Sequence, residues 1–188
     1  MWACSKKLCV KIASLIDGVT VTSLAPKSDG RGVFTEVFRA EWPTQIAPIQ
    51  WNVVTNAANV LRGFHVHASH VDYLTVLDGE LLLGLRDIRP ESPTHGRAEM
   101  LSLNVEAAVA ITTPPGVAHG FYFPRPSRVL CSVSHYWNIA DELGCRWDDP
   151  EIGIRWPTSS PVLSERDQSA GSFREMVAQF LRGRGEMM

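Results

Sequence analysis

From Val19 to Val133 the chain is cut into short apolar runs by turn residues, with no helical periodicity between them. The runs Val19–Leu24, Gly32–Phe38, Gln50–Thr55, Val60–His67, Tyr73–Leu77, Glu80–Asp87, Ala98–Leu103, Ala108–Thr112, Gly120–Phe123 and Arg128–Val133 read as strands. Each is short, rich in β-branched or aromatic residues, and bounded by Gly, Pro, Asn or Asp. Strands in unbroken succession bury their apolar faces by packing sheet on sheet or by closing a barrel, so the expected class is all-β. Asp78-Gly79, between two apolar runs, reads as a hairpin turn. No Gly-rich loop opens a helix, which excludes dinucleotide-binding and P-loop architectures. Only the tail changes period. Ser172 and Glu175 have capping-box spacing, and Phe173, Met176, Val177, Phe180 and Leu181 share one helical face. A short C-terminal helix over about 172–182 is therefore predicted to pack on a core spanning about 19–157. With no linker, repeat or low-complexity segment, the 188 residues read as one domain, 1–188.

Composition removes several functions. A formal net charge of −2 supplies no general field for nucleic acid or anionic membrane, although a few arginines suffice to hold a small anion. No apolar run approaches the roughly 20 residues needed to span a bilayer. The opening MWACSKKLCVKIASLIDG is interrupted by Lys11 and is not expected to act as a signal peptide. Cys4, Cys9, Cys131 and Cys145 lack paired CxxC spacing, so reduced thiols in a cytoplasmic protein are expected rather than disulfides or a zinc knuckle.

Chemistry-bearing side chains concentrate at His65, His67, His70, Asp72 and His119. His65 and His67 lie two apart on a predicted strand and so share a face. His65, His67, Asp72 and Gly79 resemble the first cupin signature, with Asp where Glu is usual. Pro114, Gly116 and His119 resemble the second, with Phe123 in place of its trailing Asn. The resemblance implies a cupin-type jelly-roll β-barrel.

A narrower resemblance runs from Asp29 to Asp167. Asp29-Gly30-Arg31-Gly32-Val33-Phe34-Thr35-Glu36, Gln50-Trp51-Asn52, Leu61-Arg62-Gly63-Phe64-His65 and Ala118-His119-Gly120-Phe121 appear in that order. With them come the stretch from Asp87 to Gly96, Arg146-Trp147-Asp148-Asp149-Pro150, Ile154-Arg155-Trp156-Pro157 and Leu163-Ser164-Glu165-Arg166-Asp167. Together they resemble the dTDP-4-dehydrorhamnose 3,5-epimerase family. The resemblance implies a homodimeric isomerase of a nucleoside diphosphate 4-keto-6-deoxy sugar, working in polysaccharide or glycoside assembly without a cofactor. It makes His65 the base and Asp167 its orienting carboxylate. It makes Arg31, Glu36, Gln50, Asn52, Arg62 and His119 ligand-binding positions. The chemistry is consistent: a ketone acidifies the neighbouring C–H bonds, an imidazole takes a proton, a cation steadies the enolate, and an acid returns the proton. Trp51, Trp137 and Phe121 are candidates for stacking on a base, with core packing as the equal alternative. Asp148 and Asp149 read as capping or turn residues.

Two positions depart from the family. Asp72 aligns with its lysine, and Cys131 with its tyrosine acid, leaving Tyr73, Tyr122 and Tyr136 as displaced acids. The same change completes a set, His65, His67, Asp72 and His119, suited to a divalent metal; the alternative is a hydrogen-bonded polar pocket. A ligating His65 could not also serve as the base. Three functions therefore stand open: a keto-sugar epimerase, a metal-dependent cupin enzyme of another class, and a non-catalytic sugar-nucleotide binder.

Overall fold

A computed structural model describes residues 14 and 16–186. Its strands are β1 (Thr20–Ser23), β2 (Lys27–Asp29), β3 (Gly32–Phe34), β4 (Gln50–Asn56), β5 (Val60–His67) and β6 (Asp72–Asp78). They continue with β7 (Glu80–Asp87), β8 (Ala98–Asn104), β9 (Val109–Thr113), β10 (Val117–Phe123), β11 (Ser127–Val133) and β12 (Glu142–Gly144). Helices α1 (Glu165–Gln168) and α2 (Phe173–Glu186) close the chain.

The strands form two five-stranded sheets, β1-β9-β6-β11-β4 and β12-β5-β10-β7-β8, with a separate β2-β3 ribbon. The strand ladders are antiparallel. This is the all-β class that the strand succession predicts, in the cupin-like jelly roll that the resemblance implies. Leu74, Val76, Ile111 and Val129 of one sheet meet Leu81, Leu83, Leu85, Leu103 and Phe123 of the other in the main core. Each such side chain contributes roughly 1.5–3 kcal/mol when fully buried. The second sheet is covered on its other face too. There Phe64, Val66, Ile88 and Ala118 pack with Phe173, Met176 and Phe180 of α2. Covering on both faces explains why β5 and β10 are buried almost throughout rather than alternating.

α2 begins as the capping box foretells: Ser172 N–H donates to Glu175 Oε2 (2.8 Å) and Glu175 N–H to Ser172 Oγ (3.3 Å). Leu181 is the exception on the expected buried face, being 41% exposed. The Asp78-Gly79 hairpin is overturned. β6 and β7 pair in different sheets, so these residues turn the chain from one sheet to the other. Gly79 there has φ +83°, and a Cβ would come within 2.2 Å of Ser127 Oγ. β3 is shorter than the expected Gly32–Phe38, because no neighbour beyond β2 extends its ladder. β2, β12 and α1 carry too little periodicity to be legible in sequence. Cys131 and Cys145 are free thiols, while Cys4, Cys9 and Lys11 lie outside the described residues. Among the described residues, no helix is long and apolar enough to cross a membrane.

Candidate active site

β5 delivers His65 to the interior end of an open cleft of about 440 Å³ lined also by Arg62, Phe121, Trp137, Glu142, Arg166 and Asp167. His65 Nε2 lies 2.7 Å from Asp167 Oδ1, a pair that is nearly buried. Asp167 reaches it because Ser164 caps α1, accepting from Asp167 N–H at 3.1 Å and turning the chain inward. Gly63 N–H reaches the other carboxylate oxygen at 3.5 Å. Gly63 has φ +119°, and a Cβ there would press on Gly120 Cα at 2.9 Å, so the glycine lets β5 and β10 close up behind His65. Burial works to raise the Asp167 pKa, but the bonds from His65, Ser164 and Gly63 outweigh it and hold the carboxyl below its usual value. The Asp167 carboxylate only accepts, so its bond to Nε2 favours the tautomer protonated there, with Nδ1 as the basic nitrogen. Arg166 Nη2 stands over the same ring, 2.7 Å from Nε2 and 3.3 Å from Nδ1, and pairs with Glu142. The rim continues as a chain: Trp137 Nε1–H donates to Glu142 Oε1 (2.7 Å), and Trp137 N–H donates to Gln50 Oε1 (3.0 Å).

Behind His65 lies a second constellation. His67 and His119 are 5% and 3% exposed, and their Nε2 atoms stand 3.6 and 3.8 Å from Asp72 Oδ2. His70 Nε2 is 3.5 Å from Asp72 Oδ1, and its Nδ1 is 2.9 Å from Asp141 Oδ2. Burial pulls the His67 imidazole down to about 4 and lowers the His119 imidazole as well. Burial opposes ionisation of Asp72, but the three histidines together outweigh it and keep its pKa low.

The predicted set thus divides. His65 and Asp167 meet as expected, and Arg62 lines the cleft, steadied by Asn56 Oδ1 at 2.7 Å. His67, Asp72 and His119 converge, but His65 is not among them: it is turned onto Asp167, and His70 approaches Asp72 in its place. This separation removes the conflict between ligand and base. Gln50 and Asn52 bond each other (3.1 Å) at the rim. Arg31 and Glu36 are not brought to the cleft within one chain. Arg31 pairs with Asp29 on the exposed β2-β3 ribbon, and Glu36 pairs with Arg39.

Cys131 packs against the main core, and burial pushes its thiol up to about 12. Tyr73 is closed off as an acid by donating to Val37 O, and burial raises it to about 12. Tyr122 donates to Asn59 Oδ1 at 3.2 Å, whereas Tyr136 is 74% exposed. Trp51 packs edge-on against Phe38 and Tyr73 rather than facing the cleft. Asp149 caps, accepting from Glu151 N–H and Phe173 N–H, both at 2.9 Å. Sequence reasoning missed Arg166, Glu142 and Asp141 as site residues, and singled out His70 without giving it a role. Arg166 had a signal, being the neighbour of Asp167; Glu142 and Asp141 come from an edge strand and a short turn without one.

The family model described as dTDP-4-dehydrorhamnose 3,5-epimerase matches residues 13–175. A dTDP-4-dehydrorhamnose 3,5-epimerase of Neisseria gonorrhoeae is 32% identical over 163 residues, covering 82% of this chain and 50% of the relative, so the chain spans half that relative's length. A dTDP-4-dehydrorhamnose 3-epimerase of Streptomyces niveus is 32% identical over 166 residues, covering 82% of this chain and 79% of the relative. Among solved structures, a dTDP-6-deoxy-D-glucose-3,5-epimerase of Legionella pneumophila in complex with dTDP-4-keto-L-rhamnose superposes with TM-score 0.81 at 28% identity, covering 90% and 95% of the two chains.

Proposed function

Because the chain belongs to the dTDP-4-dehydrorhamnose 3,5-epimerase family, we propose that it is an isomerase in which His65, oriented by Asp167, takes a proton from the carbon beside the ketone of a dTDP-linked 4-keto-6-deoxy sugar. The observation that carries this reading is the nearly buried 2.7 Å bond between His65 and Asp167 at the cleft. The carboxylate favours the proton on Nε2, leaves Nδ1, beside Arg166, as the basic nitrogen, and stabilises the imidazolium once Nδ1 is protonated. Arg62 and Arg166 supply cations for diphosphate and for developing enolate charge. Gln50 and Asn52 stand on the rim for polar contacts. The proton transfer itself needs no cofactor. The dTDP ligand is carried over from the Legionella relative. A cytosolic setting fits the free thiols of Cys131 and Cys145, and a homodimer fits the exposed Val33 and Phe34.

Return of the proton is the altered half-reaction. Cys131 is a buried neutral thiol, and the tyrosines of the neighbouring strands are engaged elsewhere. Removal of a proton therefore outruns inversion, and inversion is confined to one centre, as in the 3-epimerase of Streptomyces niveus. The test is incubation with a dTDP-4-keto-6-deoxy sugar in heavy water, followed by NMR. Deuterium is expected at C3 or C5 faster than inverted product. If the sugar nucleotide binds but no deuterium enters, the chain is a binding protein and the epimerase reading is wrong.

A further inference from the structure

We infer that His67, His119 and Asp72 form a binding site for a divalent transition-metal ion, with His70 as the residue that positions Asp72. Two of these distances decide the matter. The Nε2 atoms of His67 and His119 stand 3.6 and 3.8 Å from Asp72 Oδ2. Hydrogen bonds of this type run at about 2.7–3.2 Å, so neither separation is a good one. Two donors held at about 2.1 Å by one tetrahedral ion, by contrast, stand about 3.4 Å apart. The ligand atoms of all three residues lie within 4.8 Å of one another.

The His119 tautomer agrees. His119 Nδ1 is 3.1 Å from Val117 O, which can only accept, so the proton is on Nδ1 and Nε2 presents a lone pair toward Asp72. His67 Nδ1 is buried with no hydrogen-bond partner. Neither imidazole therefore gives Asp72 Oδ2 a donor at normal hydrogen-bond distance. A dication at the shared point would bind Asp72 Oδ2 and both Nε2 atoms. Outside the ligands, His70 Nε2 faces the second oxygen of Asp72 at 3.5 Å, while its Nδ1 is anchored by Asp141 at 2.9 Å. Carboxylates and imidazoles arranged in this way hold metal ligands in place. Two imidazoles and one carboxylate leave coordination positions open and suit Fe, Mn, Co, Ni or Zn.

The site stands independently of the epimerase reading, since ion content is measured without substrate. Its bearing on the reaction does rest on that reading. If Asp72 stands where the resemblance puts the family's lysine, the ion supplies positive charge at that point.

The experiment is elemental analysis of the full, untagged chain purified without chelator, with cobalt(II) titration of the stripped protein followed by visible absorption. About one ion per chain and a cobalt d–d band are expected, since such a site takes one metal. His67→Ala and Asp72→Asn should lose both signals. His70→Ala should weaken cobalt binding about 10- to 100-fold, as loss of an outer partner does. His135→Ala, on the surface, should keep both. Thermal unfolding of the stripped wild type, with and without cobalt, guards against variants that fail to fold: a raised midpoint with cobalt supports the site. The proposal is overturned if wild-type protein carries well under one ion and gains no band or stability from cobalt. It is equally overturned if the ion survives Asp72→Asn but is lost in Asp141→Asn, which would assign it to the neighbouring group His67, His70 and Asp141. Deuterium exchange by stripped protein separates the two readings: exchange without metal leaves the epimerase standing whatever the ion content.

Discussion

At His65 the chemistry turns on which ring nitrogen carries the proton. Asp167 Oδ1 at 2.7 Å favours Nε2. Asp167→Asn would present an amide N–H to that nitrogen, move the proton to Nδ1 and occupy the basic site. Deuterium exchange should then fall by about 10²- to 10⁴-fold with the fold unchanged, while His65→Ala should abolish it. NMR of the substrate carbon checks both. The stretch from Asp87 to Gly96 shows the opposite case, a family string whose work is structural. Asp87 is fully buried and accepts from Arg89 Nε (2.9 Å), Arg89 Nη2 (2.8 Å) and Thr94 Oγ1 (2.7 Å). Burial acts to raise its pKa, but these donors prevail and hold it well below the usual carboxylate range. Asp87→Ala should cost about 3–5 kcal/mol in urea unfolding at neutral pH, because it strands a partly buried guanidinium. The folded pKa is depressed, so this stabilisation is fully present above the unfolded value of about 3.9 and is lost as the pH falls through the folded one. The gap between wild type and variant should accordingly narrow below about pH 4.

At the level of elements, α1 and α2 show how a local signal acquires a distant consequence. α1 is a single turn that could not persist alone, yet its Ser164 cap aims Asp167 across 102 residues of sequence at His65. α2 is stabilised mainly by what it covers. Phe180 is 1% exposed against the outer face of the second sheet, whereas the Ser172–Glu175 capping box is exposed. Ser172→Ala should therefore cost only about 1 kcal/mol. Phe180→Ala should cost about 3–5 kcal/mol, and the order of the two urea midpoints tests the assignment.

Across the whole molecule, the two sheets bring together residues no local pattern joins. β5 and β10 pair with His65 opposite His119, and the start of β6 in the other sheet carries Asp72 against them. The chain also leaves Val33 and Phe34 of the β2-β3 ribbon 66% and 63% exposed. An apolar ribbon of this kind is a natural contact between copies. Light scattering at micromolar concentration should give a dimer, and Phe34→Ser should shift it toward monomer; a wild-type monomer would remove the dimer from the description.

The strand succession, the C-terminal capping box and the ordered strings from Asp29 to Asp167 were sufficient to determine the all-β class, the final helix and the family, because these depend on periods of two and 3.6 and on short spacings. They also named His65 and Asp167. What they left open was how the polar set divides. His65 and His67 share a face in sequence, yet one is claimed by Asp167 from α1 and the other by Asp72 from the opposite sheet. Arg166, His70, Glu142 and Asp141 enter the site from loops, an edge strand and a single turn, whose directions are set by what they pack against. A hydrogen bond is decided by distance and angle between groups remote in sequence, and only the closed pair of sheets supplies those.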